Sequence, residues 1–145
     1  MPLVQLIYYR STTSTHSSQN NDLKTIHQVA NTSNKKLGVS GILLFNTSYY
    51  LQALEGPREK VNDLYFKILK DPRHKDCRLM SFTDISTRDF GDWGMAWANE
   101  ALIKTELYTT YCGSSQLIPE KLNASNARNL LCEFAELARA QKNKI

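Results

Sequence analysis

The sequence predicts an α+β fold, in which one mixed β-sheet carries two helices on one face and a helical extension follows. The first observation is the order of strand-type and helix-type segments, which is β-α-β-β-α-β with one further strand. The second is that only Asn46, Thr47 and Ser48 separate the second and third strand-type runs, as in a hairpin. This order is typical of the split βαβ, or ferredoxin-like, arrangement.

The first strand is predicted over residues 3–9 (LVQLIYY), an apolar and aromatic run. A polar, hydroxyl-rich loop follows over residues 11–21, and Asn21 or Asp22 can cap the next helix. Small and apolar residues recur in that helix at helical spacing; these are Leu23, Ile26, Ala30 and Ser33. Gly38 is predicted to end it.

The second and third strands are predicted at GVSGILLF (residues 38–45) and YYLQALEG (residues 49–56). Gly56-Pro57 then breaks the strand pattern, and Pro57 suits the first turn of a helix. That helix has its apolar positions at helical spacing and ends near Lys70, before the stop signal of Asp71-Pro72. The positions are Val61, Leu64, Tyr65 and Ile68.

A fourth strand is predicted over residues 77–82 (CRLMSF) and a fifth over residues 93–97 (WGMAW). Because the composition changes after residue 98, we expect a domain over 1–98 and a C-terminal helical extension over 99–145. Residues 105–118 are expected to be irregular or partly helical. From residue 123 onward an amphipathic helix is predicted, whose apolar stripe should pack on the uncovered face of the sheet. The stripe includes Leu130, Phe134 and Leu137.

The composition is that of an ordinary globular protein with one domain. The chain has 145 residues, of which 41% are hydrophobic and 22% charged, and a net charge of +4. The charges are scattered, which favours a solvated surface over a nucleic-acid interface. No apolar run reaches membrane-spanning length and the start is too polar for a signal peptide, so we expect a cytoplasmic protein without a membrane partner. Three widely spaced cysteines argue against a disulfide framework or a zinc site.

Most motifs that carry enzyme chemistry are absent from the sequence. It contains no G-x-G-x-x-G, no Walker loop and no H-E-x-x-H, and its acidic residues form no evident carboxylate pair. Arg10 could meet a phosphate in a small phosphatase-like enzyme, but a lone arginine at a strand end is more often a surface residue. RNA-recognition domains share the element order, yet YYLQALEG does not match their exposed aromatic motif.

Three polar residues occupy unexpected places. Tyr8 and Gln52 lie within apolar strands, and Asn34 lies near the end of the first helix. Burying an unpaired amide costs about 1–3 kcal/mol, so Gln52 in particular needs partners. Taken singly, each has a simple explanation: a tyrosine at the core edge, a strand-edge glutamine, an asparagine in a last helical turn. The residues alone predict a one-sheet domain that can hold a planar ligand between helices and sheet.

Taken together, the motifs resemble the BLUF family of blue-light receptors, which bind a flavin non-covalently. The resemblance runs in order from residue 3 to residue 97. It rests on LIYYRS, N-x-x-x-G-V-S-G-I-L-L-F, YYLQALEGPREKVNDLY, I-L-K-D-P-R-H and F-x-D-W-G-M. The combination of L-Q-x-L-E-G with D-x-R-H and W-x-M is specific to it.

The resemblance implies a role for several residues. Tyr8 matches the photochemical electron and proton donor, and Gln52 matches the glutamine between that tyrosine and flavin N5 and C4=O. Asn34 matches the asparagine that binds the C4=O and N3 edge. Ile26 and Ile68 match the apolar positions that sandwich the ring. These residue types suit a ring that is apolar on its faces and polar along one edge.

Further matches lie outside that central group. Arg73 matches an arginine near the ribityl-phosphate end, and His74 the position after it. Ser33 stands where some members have histidine or asparagine before the pocket asparagine. Trp93 and Met95 match the fifth-strand pair that rearranges or relays the signal.

The resemblance also implies a mechanism and an output. Light moves an electron and then a proton from Tyr8, and Gln52 ends in an altered hydrogen-bond arrangement, by rotation or tautomerisation. No substrate is turned over, so the protein is expected not to be an enzyme. FAD is the expected cofactor, with FMN and riboflavin as alternatives. A short stand-alone receptor of this kind is expected to form a homo-oligomer and to contact a protein partner in a light-dependent way. The rival interpretation is a light-insensitive ferredoxin-like domain that binds a ligand or RNA.

Overall fold

A five-stranded mixed sheet forms the centre of the protein in a computed structural model, which describes residues 2–11, 34–70, 75–91, 96–99 and 105–142. The strand order is β4-β1-β3-β2-β5. The strands are β1 (Leu3–Ser11), β2 (Ser40–Phe45), β3 (Tyr49–Pro57), β4 (Lys75–Ile85) and β5 (Ala96–Asn99). All neighbouring strands are antiparallel except β2 and β5, which are parallel.

This topology confirms the predicted α+β, ferredoxin-like fold with an additional strand. The strands β1 and β4 extend beyond the apolar runs that predicted them, because Ser11 still finds backbone partners at Tyr49 and Lys75. The predicted fifth strand is described from Ala96 to Asn99, where it pairs with β2, and its predicted start at residues 93–95 lies outside the described residues. Backbone pairing with a neighbour therefore sets these ends, and not side-chain polarity.

Four helical segments and one 3-10 turn complete the described structure. They are α1 (Lys35–Leu37), α2 (Arg58–Lys70), α3 (Thr105–Cys112), a 3-10 helix (Pro119–Lys121) and α4 (Ala124–Lys142). The helix α1 is the part of the predicted first helix that the described residues contain. The prediction of a long C-terminal helix is confirmed, and Asn123 caps it by accepting the Asn126 N–H on its Oδ1 at 2.7 Å.

The two faces of the sheet are covered by different elements. On one face, which we call the α2 face, Val61 of α2 is buried against strand residues; these strand residues are Val4, Leu6, Tyr8, Leu43, Phe45, Tyr50 and Leu54. On the other, the cap face, the helices α3 and α4 cover Ile7, Ile42 and Leu51. As predicted, Leu130 and Phe134 are buried there, but Leu137 is 40% exposed, so the apolar stripe leaves the core one turn before the helix ends.

A close approach of two glycines fixes the turn between α1 and β2. Gly38 has a φ of +73°, which ends the helix in the left-handed conformation that glycine favours. A Cβ on Gly56 would lie 2.9 Å from the Gly38 carbonyl oxygen and 3.2 Å from Val39. The L-E-G-P motif therefore has a glycine where β3 contacts this turn too closely for a side chain.

Within the described residues, no helix is both long enough and apolar enough to cross a membrane. The same residues contain no group of three histidine, cysteine or acidic side chains placed to hold a metal ion.

Candidate functional site

Tyr8 and Gln52 form the centre of a buried polar site on the α2 face. They are direct cross-strand partners in the β1–β3 ladder, so their side chains share one face of the sheet. The Tyr8 hydroxyl donates a hydrogen bond to Oε1 of Gln52. Tyr8 is 1% and Gln52 6% exposed. The amide that looked out of place in the sequence is therefore buried with a phenol as its partner.

Strand alternation separates the two adjacent tyrosines of the first strand. Tyr8 belongs to the cluster on the α2 face, whereas Tyr9 packs against the cap-face cluster. Only Tyr8 can therefore meet Gln52. Its ring lies 5.2 Å from that of Tyr65 of α2, centroid to centroid, with the planes tilted by 57°.

Burial raises the pKa of the Tyr8 hydroxyl well above its usual value, and the neighbouring Cys77 and Tyr65 raise it further. The positive charge of Arg10 lowers this pKa but does not outweigh the burial. Tyr8 therefore keeps its proton across the physiological pH range. A buried neutral phenol that faces an amide oxygen is a proton donor held in a fixed direction.

Arg10 was expected at the surface, and this prediction is wrong. It is 2% exposed, and its guanidinium carbon lies 4.0 Å above the centroid of the Tyr50 ring. The physical reason is that β1 continues to Ser11, so Arg10 pairs with Tyr50 inside the sheet and not at a free strand end. Since Arg10 follows Tyr8 by two residues, the strand period places this cation on the same face as the site.

Two more of the predicted site residues lie in the described part of the chain. Asn34 is 4% exposed, and its carbonyl oxygen accepts the Val39 N–H at 2.8 Å, which ties it to the Gly38 turn. Ile68 of α2 is half-buried and packs against the same cluster as Tyr8. The structure thus joins Tyr8 to Gln52 directly and places Ile68 on their face of the sheet.

The remaining predicted site residues lie outside the described residues. These are Ile26, Ser33, Arg73, His74, Trp93 and Met95. Their roles stay predictions.

The cap face carries a second buried polar cluster, which the sequence patterns did not predict. Glu55 of β3 is fully buried, and Gln5 of β1 donates from Nε2 to Glu55 Oε2 at 2.7 Å and to Asp89 Oδ2 at 2.9 Å. The sequence shows no evident carboxylate pair, yet these two carboxylates share one donor, the Gln5 amide. The two acids are 34 positions apart, and only the fold brings them to one amide. A glutamate inside the apolar run YYLQALEG was the available signal.

The donor set on the α2 face suits a flat ligand with one polar edge. Tyr8 and Gln52 supply a phenol and an amide, and Asn34 supplies a second buried amide. The apolar side chains of α2 that line this face are Leu64, Tyr65 and Ile68. Arg10 adds a buried positive charge. An isoalloxazine ring has apolar faces and a hydrogen-bonding edge, so these residues fit a flavin.

Comparison with known proteins points to the same ligand class. Residues 3–96 match the family described as "BLUF: Sensors of blue-light using FAD". The chain is 36% identical over 96 residues to the "Blue light- and temperature-regulated antirepressor BluF" of Escherichia coli (strain K12), across 64% of this chain and 23% of that protein. It is 32% identical over 93 residues to the "Photoactivated adenylate cyclase subunit beta" of Euglena gracilis, across 64% of this chain and 11% of that protein.

Among solved structures, the chain is similar to "BlsA ground state", with a TM-score of 0.81 and 26% sequence identity. That similarity covers 90% of this chain and 87% of the other. The matches to the antirepressor and the cyclase subunit, in contrast, span less than a quarter of those proteins. The family match covers well over half of the sequence. The chain belongs to the BLUF family of flavin-using blue-light sensors.

Proposed function

We propose that this chain is a photoreceptor whose switching element is the hydrogen bond between Tyr8 and Gln52. The observation that carries the proposal is this bond itself, in which a fully buried phenol is aimed at a buried amide oxygen. An amide has a donor side and an acceptor side. The amide of Gln52 therefore has two orientations, and only one of them turns its oxygen toward the Tyr8 hydroxyl.

The proposed cofactor is a non-covalently bound flavin, FAD by preference, on the α2 face. Asn34 and Gln52 would bind the polar edge of the ring, and Ile68 and Ile26 its faces. Arg73 and His74 would bind at the phosphate end, and Ser33, which precedes Asn34, would contribute at the ring edge. The bound flavin supplies absorption of blue light and, once excited, an acceptor for an electron.

Tyr8 is the proposed donor. It gives up one electron, and its phenolic proton leaves along the hydrogen bond to Gln52 Oε1. Both return to Tyr8 after the light reaction, so its O–H bond is re-formed and there is no net oxidation or reduction of the chain. Its raised pKa supports this role, because Tyr8 holds its proton until the electron leaves.

Gln52 is the residue that we propose to remain changed after the light reaction. When Tyr8 is restored, the amide is left with donor and acceptor sides exchanged, either as a rotated amide or as its imidic tautomer. A changed hydrogen bond from Gln52 to the ring edge would shift the absorption of the bound flavin to the red. Because the site is dry and the network is satisfied in both arrangements, their free energies differ by only a few kcal/mol, and dark reversion is possible.

The proposed output is a contact with another protein, without turnover of a substrate. The signal leaves through Trp93 or Met95 and the fifth strand to the helices of the extension, residues 99–145. We also propose that the chain forms a homo-oligomer. The catalytic activity in the name of the Euglena gracilis relative belongs to that protein, of which the match covers 11%.

The test is the visible spectrum of the purified protein before and after blue light. We expect a yellow protein with a reversible red shift. The flavin released on denaturation, identified by mass, distinguishes FAD from FMN and riboflavin. A colourless protein that takes up none of the three would overturn the proposal and favour the light-insensitive ligand- or RNA-binding domain.

A further inference from the structure

Asp89, in the segment between β4 and β5, is bonded through its polar groups to three separate elements. Its N–H donates to Glu55 Oε2 at 2.9 Å, and its carboxylate accepts from Gln5 Nε2 at 2.9 Å. From α4, Arg128 Nε donates to Oδ2 at 2.9 Å and Arg139 Nη2 donates to the Asp89 carbonyl at 2.7 Å. We call Gln5, Glu55, Asp89, Arg128 and Arg139 the junction.

The residues on both sides of Asp89, Arg88 and Phe90, are also hydrogen-bonded to other elements. The Phe90 N–H donates to Glu55 Oε1 at 2.8 Å, and the Phe90 side chain is fully buried on the cap face. Arg88 donates from Nη2 to the Gly38 carbonyl at 2.6 Å and from Nη1 to Ser40 Oγ at 2.9 Å. Residues 88–90 are therefore fixed to the turn that follows Asn34, as well as to α4.

The junction and the Tyr8–Gln52 pair share one ladder. Gln5 pairs with Glu55 and Tyr8 pairs with Gln52 in the same β1–β3 ladder, three residues apart on each strand. At about 3.3 Å per residue this is about 10 Å, and the odd spacing places the two pairs on opposite faces. The β1–β3 ladder is regular from Leu3 to Ser11, whereas β1 and β4 shift register between Ile7 and Tyr8.

We propose that the junction couples the state of the Tyr8–Gln52 pair to α4, so that α4 is held in the dark and loosened in the light. The inference deepens the proposed function and rests on it. Each strand of a regular ladder transmits displacement along its length, so a changed Tyr8–Gln52 bond that shifts β1 relative to β3 also displaces Gln5 against Glu55. Among the described residues, Gln5 Nε2 donates to both carboxylates. Its displacement removes one hydrogen bond from the Asp89 carboxylate and thereby weakens the hydrogen bonds of Arg128 and Arg139 to Asp89.

The regular β1–β3 ladder explains why the coupling runs through β3 and not through β4. Movement at Tyr8 can be absorbed on the β4 side, where the register already shifts, but not on the β3 side. The interior is close-packed, so small displacements are transmitted through it. A signal can therefore reach α4 through residues of β1, β3 and the 88–90 segment, in addition to the route through the fifth strand.

Amide hydrogen exchange of residues 124–142 tests the proposal in the full chain with its flavin bound, in darkness and under continuous blue light. In the wild type we expect faster exchange in the light, by about fivefold or more. Asp89→Asn and Arg128→Met should each lose most of this light–dark difference and keep the red shift. Arg128→Met retains the aliphatic stem, so it removes the charge and hydrogen bonds with little loss of packing.

Arg58→Met is the matched control, because Arg58 and Asp84 form an exposed ion pair that is not connected to Asp89. It should leave the light–dark difference intact. If Asp89→Asn and Arg128→Met both kept the wild-type light–dark difference in amide exchange, the proposed coupling through the junction would be wrong. It would also be wrong if the wild type showed the red shift with no change in the exchange of residues 124–142. A wild type without a red shift would instead overturn the proposed function, and the light dependence of the junction with it.

Discussion

The hydroxyl of Tyr8 donates to Oε1 of Gln52 across the β1–β3 ladder, on a face of the sheet where both side chains are almost fully buried. The neighbouring tyrosine, Tyr9, points to the opposite face and packs under the C-terminal helices. One strand thus presents two phenols to two different environments.

The first prediction uses that pair of tyrosines. Tyr8→Phe should retain flavin and lose the reversible red shift, because the ring still fills its place while the donated proton is gone. Tyr9→Phe, on the cap face, is the matched control and should photoswitch normally. Absorption spectra before and after blue light measure both. A normal photocycle in Tyr8→Phe would contradict the assignment.

The second prediction concerns the amide of Gln52. Gln52→Leu has a similar volume but neither donor nor acceptor, so it should bind flavin and show no red-shifted state. Because Tyr8 then has no amide oxygen to meet, the buried hydroxyl loses its partner. We expect a stability loss of about 1–3 kcal/mol in urea unfolding. Retention of the reversible red shift would show that the amide is not the switching group.

The third prediction concerns the glycine of L-E-G-P. A Cβ at Gly56 would lie 2.9 Å from the Gly38 carbonyl oxygen, so Gly56→Ala must displace the turn that follows Asn34. We expect a loss of about 1–3 kcal/mol in stability and a lower flavin content per protein. Gly91→Ala, whose Cβ would have only ordinary contacts with the Arg88 side chain at 3.4 Å, is the control. Equal flavin content in the two variants would argue against this role of the turn.

The fourth prediction concerns the packing of α4 on the cap face. Phe134 is 4% exposed within the core cluster, and Phe134→Ala should cost about 3–5 kcal/mol in unfolding free energy. Leu137 lies one turn further along and is 40% exposed, so Leu137→Ala should cost much less. Urea unfolding at 25 °C compares them. Similar losses of unfolding free energy in both variants would mean that α4 packs on the sheet through a different face.

The fifth prediction concerns acid sensitivity. Burial alone would raise the pKa of Asp89, but hydrogen bonds from Arg128 and Gln5 and the charges of Arg128 and Arg139 outweigh it and lower this pKa. A carboxyl with a lowered pKa stabilises the folded state above its unfolded pKa of about 4, and this contribution is lost as the pH falls through the folded pKa.

Asp89→Asn should therefore be less stable than the wild type at pH 7, and the difference should shrink as the pH falls below about 4. Urea unfolding at constant ionic strength measures this. Asp84→Asn, which alters only the exposed pair with Arg58, should differ from the wild type by less than about 1 kcal/mol at pH 7. A difference between the wild type and Asp89→Asn that is the same at pH 7 and below pH 3 would contradict the prediction.

The order of strands and helices, and through it the fold, follows from local patterns in the sequence. Apolar runs with a strand period and stripes with a helix period are local signals, as is Gly38, so they can be found without knowledge of contacts. The unusual position of Gln52 in an apolar run was visible in the same way. The motifs around it were sufficient to predict the family that the comparisons show.

The pairing of the buried polar groups, in contrast, is set by the three-dimensional fold. Arg10 was expected at the surface and is buried, because the pairing of β1 with β3 extends past it. Glu55 and Asp89 are joined by Gln5, and Arg128 and Arg139 reach them from a helix that follows much later in the chain. Such contacts depend on strand register and helix placement, which are set by the packing of the whole core. No local pattern of residues contains them.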